Sequence, residues 1–130
     1  MADDEKKKIL LVDDDEIQLI TAEAMLMTEY EIFTAKSGKE AIEHFLYGRI
    51  PDLVLLDIMM PNMDGWETYN RLKALTSLKD VPIAFLTSVN EVSEKNRAHE
   101  IGLVDYITKP YDQESLLARV KKIIEPKVNL

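Results

Sequence analysis

The stretch Leu53-Val-Leu-Leu-Asp-Ile-Met-Met-Pro-Asn-Met-Asp-Gly65 decides how this chain reads. Four apolar residues run straight into an aspartate, and burial favours the four while penalising the fifth. A run that is apolar on consecutive positions is the pattern of a strand covered on both faces, as in the interior of a parallel sheet. Asp57 then stands at the strand's carboxyl end, with Pro61 and Gly65 marking the loop that follows.

The same texture recurs on either side. Lys8–Val12, Glu31–Ala35, Pro82–Leu86 and Val104–Ile107 read as further strands, and segments of helical period separate them. Asp15 caps a helix whose apolar positions include Ile17, Ile20, Ala24 and Met27. Ser37 caps a second, with Ala41, Ile42, Phe45 and Leu46 on one stripe and Gly48 past its end. Asp64 caps a third, running to about Leu75, and a fourth spans Glu91 to Ile101 before Gly102. That fourth helix has only a thin apolar stripe, Val92, Ala98 and Ile101, and reads as a solvated helix or a surface that moves or meets a partner. The last starts at Asp112, carries Leu116, Leu117, Val120, Ile123 and Ile124, and stops at Pro126. Five alternations of strand and helix predict an α/β fold with helices on both faces of the sheet.

Composition bounds the function. A chain of 130 residues, 46% hydrophobic and 31% charged, is the size and balance of one soluble domain. A net charge of −8 argues against direct binding to nucleic acid or to an anionic membrane surface. There is no cysteine, hence no disulfide or thiolate chemistry. Met1–Lys8 is charged and Ile9–Val12 is too short for a signal core or a span, so a cytoplasmic location is expected. Only Pro126–Leu130 follow the last helix, the expectation for a stand-alone protein or for one domain of a longer one.

Ligands of open parallel sheets bind outside the carboxyl ends of the strands. Those ends supply Asp13 and Asp14, Asp57, Thr87 and Ser88, and Lys109. Any one of them has an ordinary reading, such as a helix cap or a solvated lysine. Their common edge is what points to chemistry. Three crowded carboxylates repel, and a divalent cation relieves that repulsion. An all-oxygen acidic donor set suits Mg²⁺, whereas zinc would want His or Cys, and His44 and His99 fall on helices as surface residues. A carboxylate beside a metal, an ammonium and a hydroxyl is equipped to receive a phosphoryl group. No G-x-x-x-x-G-K-[ST] or G-x-G-x-x-G loop is present, so the group must come from another protein or a small phosphodonor rather than from bound ATP.

"ILLVDDD" (Ile9–Asp15), "DLVLLDIMMPNMDG" (Asp52–Gly65), "PIAFLTS" (Pro82–Ser88) and "DYITKP" (Asp105–Pro110) together resemble the receiver domain of two-component response regulators. The match covers the chain from about Lys7 to Ile124 within a single domain of residues 1–130. The resemblance implies a doubly wound, five-stranded parallel sheet, a (βα)5 flavodoxin-like fold of strand order 2-1-3-4-5. It implies that Asp57 accepts phosphate from a sensor histidine kinase or a histidine phosphotransfer protein. Asp13, Asp14, Asp57 and the Met59 carbonyl would hold Mg²⁺, with Asp13 acting largely through metal-bound water. Lys109 would pair with the phosphoryl group, Thr87 would follow it, and Tyr106 would turn inward. The Lys109–Pro110 bond would be cis. The fourth helix, fifth strand and fifth helix would carry the signal to a downstream effector or to a C-terminal output domain.

Three positions depart from the commonest pattern. Met59 and Val89 stand two residues after Asp57 and Thr87, where polar side chains in this family orient the water that removes the phosphate. Two apolar residues there predict a long-lived phosphorylated state. Tyr111 stands where phenylalanine is commoner. Rival readings fit less well. A flavodoxin-like carrier would want a hydroxyl-rich phosphate loop where this chain has Asp13-Asp14-Asp15. A haloacid-dehalogenase-type phosphotransferase would want an aspartate where Met59 stands. A pseudo-receiver, keeping the fold only for binding, would have no need of the acidic set, Thr87 and Lys109.

Overall fold

The computed structural model describes residues 5–75 and 80–125. Strands β1 (Lys8–Val12), β2 (Glu31–Ala35), β3 (Leu53–Leu56), β4 (Ile83–Thr87) and β5 (Asp105–Thr108) alternate with helices α1 (Glu16–Leu26), α2 (Gly38–Leu46), α3 (Gly65–Leu75), α4 (Val92–Glu100) and α5 (Gln113–Ile124). All neighbouring strands are parallel, in the order β2-β1-β3-β4-β5. The predicted β4 and β5 each shift by one residue towards the carboxyl end. The expected stop at Pro126 lies outside the described residues.

Register explains the consecutive apolar runs. Leu11 pairs with Leu55 and Val12 with Leu56, and every residue of β3 is buried. Leu10, Val12, Val54, Leu56, Ile83 and Phe85 face one side and meet α2, α3 and α4. Ile9, Leu11, Leu53, Leu55, Ala84 and Leu86 face the other and meet α1 and α5. A side-chain period of two feeds both layers from one strand.

The caps fall where the sequence places them. Asp15 accepts from the Ile17 amide at 2.9 Å, Ser37 from Glu40 at 3.1 Å, Asp64 from Glu67 at 2.9 Å and Asp112 from Ser115 at 2.7 Å. Each satisfies an amide that the first helical turn leaves without a partner. Glu91, at the same position of α4, makes no side-chain capping bond.

Four sequence expectations are corrected. On α1 the buried residues are Leu19, Ala22 and Leu26, while Ile17 is 72%, Ile20 58% and Met27 54% exposed and Ala24 also faces out. Both stripes have helical spacing and lie two residues apart, about 200° around the axis. Periodicity alone therefore cannot choose between them. On α4 only Ala98 of the expected stripe is buried, and on α2 Leu46 is exposed. His44 is not a plain surface residue. Its ring packs 5.1 Å from Phe33, and its buried Nε2 meets no hydrogen-bond partner among the described residues. Burial, and then the Arg49 charge, lower its pKa.

Candidate acidic phosphoacceptor site

The carboxyl ends of β1, β3, β4 and β5 converge. The Asp57 amide donates to the Val12 carbonyl at 2.9 Å, and the Lys109 amide to the Thr87 carbonyl at 2.9 Å, so the ladder itself sets where these residues emerge. Asp13, Asp57 and Thr87 are buried, whereas Asp14 is exposed. One carboxylate oxygen from each of Asp13, Asp14 and Asp57 lies within 4.8 Å of the other two. All three donors are hard oxygens, and the spacing fits a divalent cation of the Mg²⁺ type; these carboxylates could hold a metal.

Lys109 supplies the counter-charge. Its Nζ donates to Asp13 Oδ2 at 2.7 Å and stands 4.0 Å from Asp57 Oδ2. Asp13 uses its other oxygen to accept the Asp15 amide at 2.9 Å. The Lys109–Pro110 peptide bond is cis, as expected. Burial raises the Asp57 pKa, and the Asp13 charge adds to this; hydrogen bonds from Thr87 and the Ile58 amide and the Lys109 charge act in the opposite direction. A buried carboxylate with this balance is one that a cation would stabilise.

Gly65 holds the loop shut. Its amide donates to the Ile58 carbonyl at 2.7 Å, and a Cβ there would come within 2.5 Å of the Asp57 carbonyl oxygen and 2.6 Å of Ile58 Cα. Side-chain size, not a positive φ, dictates glycine here. Between these two anchors Ile58 and Met60 are buried, and Met59 is 66% exposed.

Asp13, Asp14, Asp57, Met59, Ser88 and Lys109 all line one open cavity of about 640 Å³. Thr87 sits beside it and accepts from the Val89 amide at 3.3 Å. Tyr106 stands farther back: its ring meets Phe85 edge-on at 5.9 Å, and its hydroxyl donates to the Val89 carbonyl at 2.7 Å. Every residue singled out in the sequence is thus at or next to this edge. What the sequence reading missed is the outer wall, formed by Gln18, Thr21 and Met25 of α1 together with Tyr111, which the sequence marked only as a departure without a role. Burial, and then the Asp13 charge, push the Tyr111 hydroxyl up to about 12. A correct reading of the inner face of α1 would have pointed to Gln18 and Met25.

Comparison with known proteins agrees with this geometry. Residues 9–121 match the family model for the response regulator receiver domain. The chain is 40% identical over 119 residues to the phosphate regulon transcriptional regulatory protein PhoB of Pseudomonas aeruginosa, covering 91% of this chain and 52% of that one. It is 38% identical over 120 residues to the probable transcriptional regulator ycf27 of Cyanophora paradoxa, covering 92% and 48% respectively. It thus spans about half the length of these curated relatives. Among solved structures, the chemotaxis protein CheY4 of Vibrio cholerae superposes with a TM-score of 0.83 at 28% identity, covering 91% of this chain and 98% of that one. A response regulator of Chloroflexus aurantiacus gives 0.83 at 33%, covering 92% and 98%. A matched family model over most of the chain, on this fold and with this acidic edge, means that the chain belongs to the response regulator receiver domains and serves phosphorylation-dependent signalling.

Proposed function

We propose that Asp57 is the phosphoacceptor and that a phosphohistidine of a sensor histidine kinase or histidine phosphotransfer protein is the donor. The observation that carries this is the convergence of two buried carboxylates, a third carboxylate and one lysine on a cavity open to solvent. In the transfer an Asp57 oxygen attacks phosphorus, an O–P bond forms, and the N–P bond to the imidazole breaks. Asp13, Asp14, Asp57 and the Met59 carbonyl would hold Mg²⁺, which when bound neutralises crowded oxygen charge.

The chain's own residues then change partners. Lys109, bonded to Asp13 and 4.0 Å from Asp57, is one small swing from the phosphoryl oxygens. Thr87 donates to another of those oxygens, and the Val89 segment and Tyr106 follow through the contacts they share. The phosphate needs only to favour one arrangement over the other to shift the population. The shift reaches α4, β5 and α5 and is read by an effector protein or an attached output domain. The chain is an acceptor that assists its own chemistry, not a turnover enzyme, and works in the cytoplasm without touching nucleic acid or membrane itself; among the described residues no helix is long and apolar enough to span one.

The donor's docking surface is the outer stripe of α1. Ile17, Ile20 and Met27 are exposed, and the same helix walls the cavity with Gln18, Thr21 and Met25. An apolar helix face continuous with the cavity is where a partner presenting a phosphohistidine would cover carbon surface. Ile20→Glu should slow transfer from such a donor by about tenfold, the loss of one buried aliphatic contact. Labelling by acetyl phosphate should remain; equal slowing of both would remove α1 from docking.

Incubation with acetyl phosphate and Mg²⁺ tests the whole reading. Intact mass should show one added phosphoryl group on the wild type and none on Asp57→Asn. A wild type that stays unlabelled with both acetyl phosphate and a phosphohistidine protein would reduce this chain to a binding module. Met59 and Val89, one exposed and one half-buried and both apolar, favour slow loss of the phosphate.

A further inference from the structure

Six methionines occur in the chain, and their exposures differ. Met60 is buried and Met25 and Met63 are half-buried. Met1 lies outside the described residues. Met27 and Met59 are the exposed ones, and Met59 also lines the cavity that contains Asp57. Met27 sits on the outer stripe of α1 and does not line it.

The placement of Met59 is enforced rather than incidental. Bonds from the Asp57 amide to Val12 and from the Gly65 amide to Ile58 pin the segment at both ends. Ile58 and Met60 point into the fold, which leaves the Met59 thioether outward at the rim of the cavity. A thioether is a weak hydrogen-bond acceptor. It lines the cavity that holds Asp57 and offers no strong group to orient water there.

We propose that Met59 is a redox modification site, and that its oxidation by peroxide shortens the life of the phosphate on Asp57. The inference rests on the reading of Asp57 as phosphoacceptor. In the modification one peroxide oxygen passes to the Met59 sulfur. The S–O bond forms as the O–O bond breaks, sulfur loses two electrons to the peroxide, and the second oxygen leaves as water. The product is a polar sulfoxide with a strong acceptor oxygen, reversible by dedicated reductases. That oxygen can accept a hydrogen bond from a water and orient it towards phosphorus, the task for which the thioether is unfit. An apolar shield becomes a water-holding group, and a slow switch becomes a fast one when peroxide rises.

The test uses the full chain. The protein is treated with hydrogen peroxide, quenched, labelled with acetyl phosphate and Mg²⁺, freed of donor, and its phosphate loss followed by intact mass. Peptide-resolved mass should find the sulfoxide at Met59 ahead of Met25, Met60 and Met63. Decay should be about fivefold faster than in untreated protein, the factor one hydrogen bond to the attacking water supplies. Met59→Leu should show no acceleration after the same treatment, and Met59→Gln should decay fast without peroxide. Full conversion of Met59 with an unchanged or longer half-life overturns the inference, as does equal acceleration in Met59→Leu. Failure of untreated protein to acquire phosphate from acetyl phosphate or a phosphohistidine protein overturns the underlying reading along with it, whereas labelling without redox sensitivity overturns the inference alone.

Discussion

Burial holds the Asp57 carboxyl above its ordinary pKa of 3.8, and the opposing pull of Thr87 and Lys109 recovers only part of that shift. Raised in the fold, the group contributes stability that is complete below 3.8 and lost as pH climbs through the folded value. Asparagine has no charge to bury. In chelated buffer Asp57→Asn should therefore be more stable than the wild type at neutral pH. The advantage should shrink steadily as pH falls towards 3.8, because the wild-type carboxyl regains its proton. Urea unfolding at a series of pH values measures this, and an Asp57→Asn advantage independent of pH would contradict it. Added Mg²⁺ should stabilise the wild type more than the variant, since only the wild type keeps all three carboxylates. At this scale the charged residues were legible because a charge at the end of an apolar run calls for a partner. Asp57 declared itself in that way, and Asp13 and Lys109 did so through the sheet edge they share with it. Gly65 did not, since a close approach of backbone to backbone leaves no mark on a single glycine's sequence context.

Among the elements, the strands were legible and the helix faces less so. Strands apolar on both sides can only be interior, and β1, β3 and β4 came out with that burial. Helix α1 carries apolar residues on two opposite faces, so its period fits either, and only the tertiary connection from β1 through the Asp15 cap chooses Leu19, Ala22 and Leu26. Helix α4 is the opposite case. With Ala98 its sole buried residue and no side-chain cap at Glu91, it is held largely by charged side chains on aromatic rings. The Arg97 guanidinium lies 4.0 Å from the Trp66 ring centre, Trp66 Nε1 donates to Glu94 at 3.3 Å, and Lys95 stands 5.9 Å from the Tyr106 ring. Such contacts give way more readily than a packed core. Amides of α4 should accordingly exchange with deuterium before those of β1 and β3, and Arg97→Ala should speed α4 exchange by roughly two- to fivefold, the loss of one exposed cation–π contact. Mass-resolved exchange in native buffer reads both. Protection of α4 equal to that of β3 would mean that the helix cannot serve as the moving part of the switch.

For the whole molecule the controlling feature is that one sheet separates two cores. Leu72 of α3 belongs to the layer that also holds Trp66 and Phe85, and Leu116 of α5 belongs to the layer that holds Leu19 and Leu55. Both are fully buried, so Leu72→Ala and Leu116→Ala should each cost about 2–5 kcal/mol. The two side chains pack in different clusters, with the strands between them, so the double variant should lose the sum to within about 0.5 kcal/mol. The dependence on urea should nonetheless keep one slope in all three variants, because both layers are anchored on the same strands and neither can unfold while the other stays. The site shares this dependence. Asp13, Asp57, Thr87 and Lys109 issue from four different strands, so their mutual distances are fixed by the sheet rather than by any loop. Urea melts followed by tryptophan emission, which reports the layer of Trp66, and by phosphate acceptance, which reports the edge, should give one midpoint. Two midpoints would show that the acidic edge comes apart before the cores do.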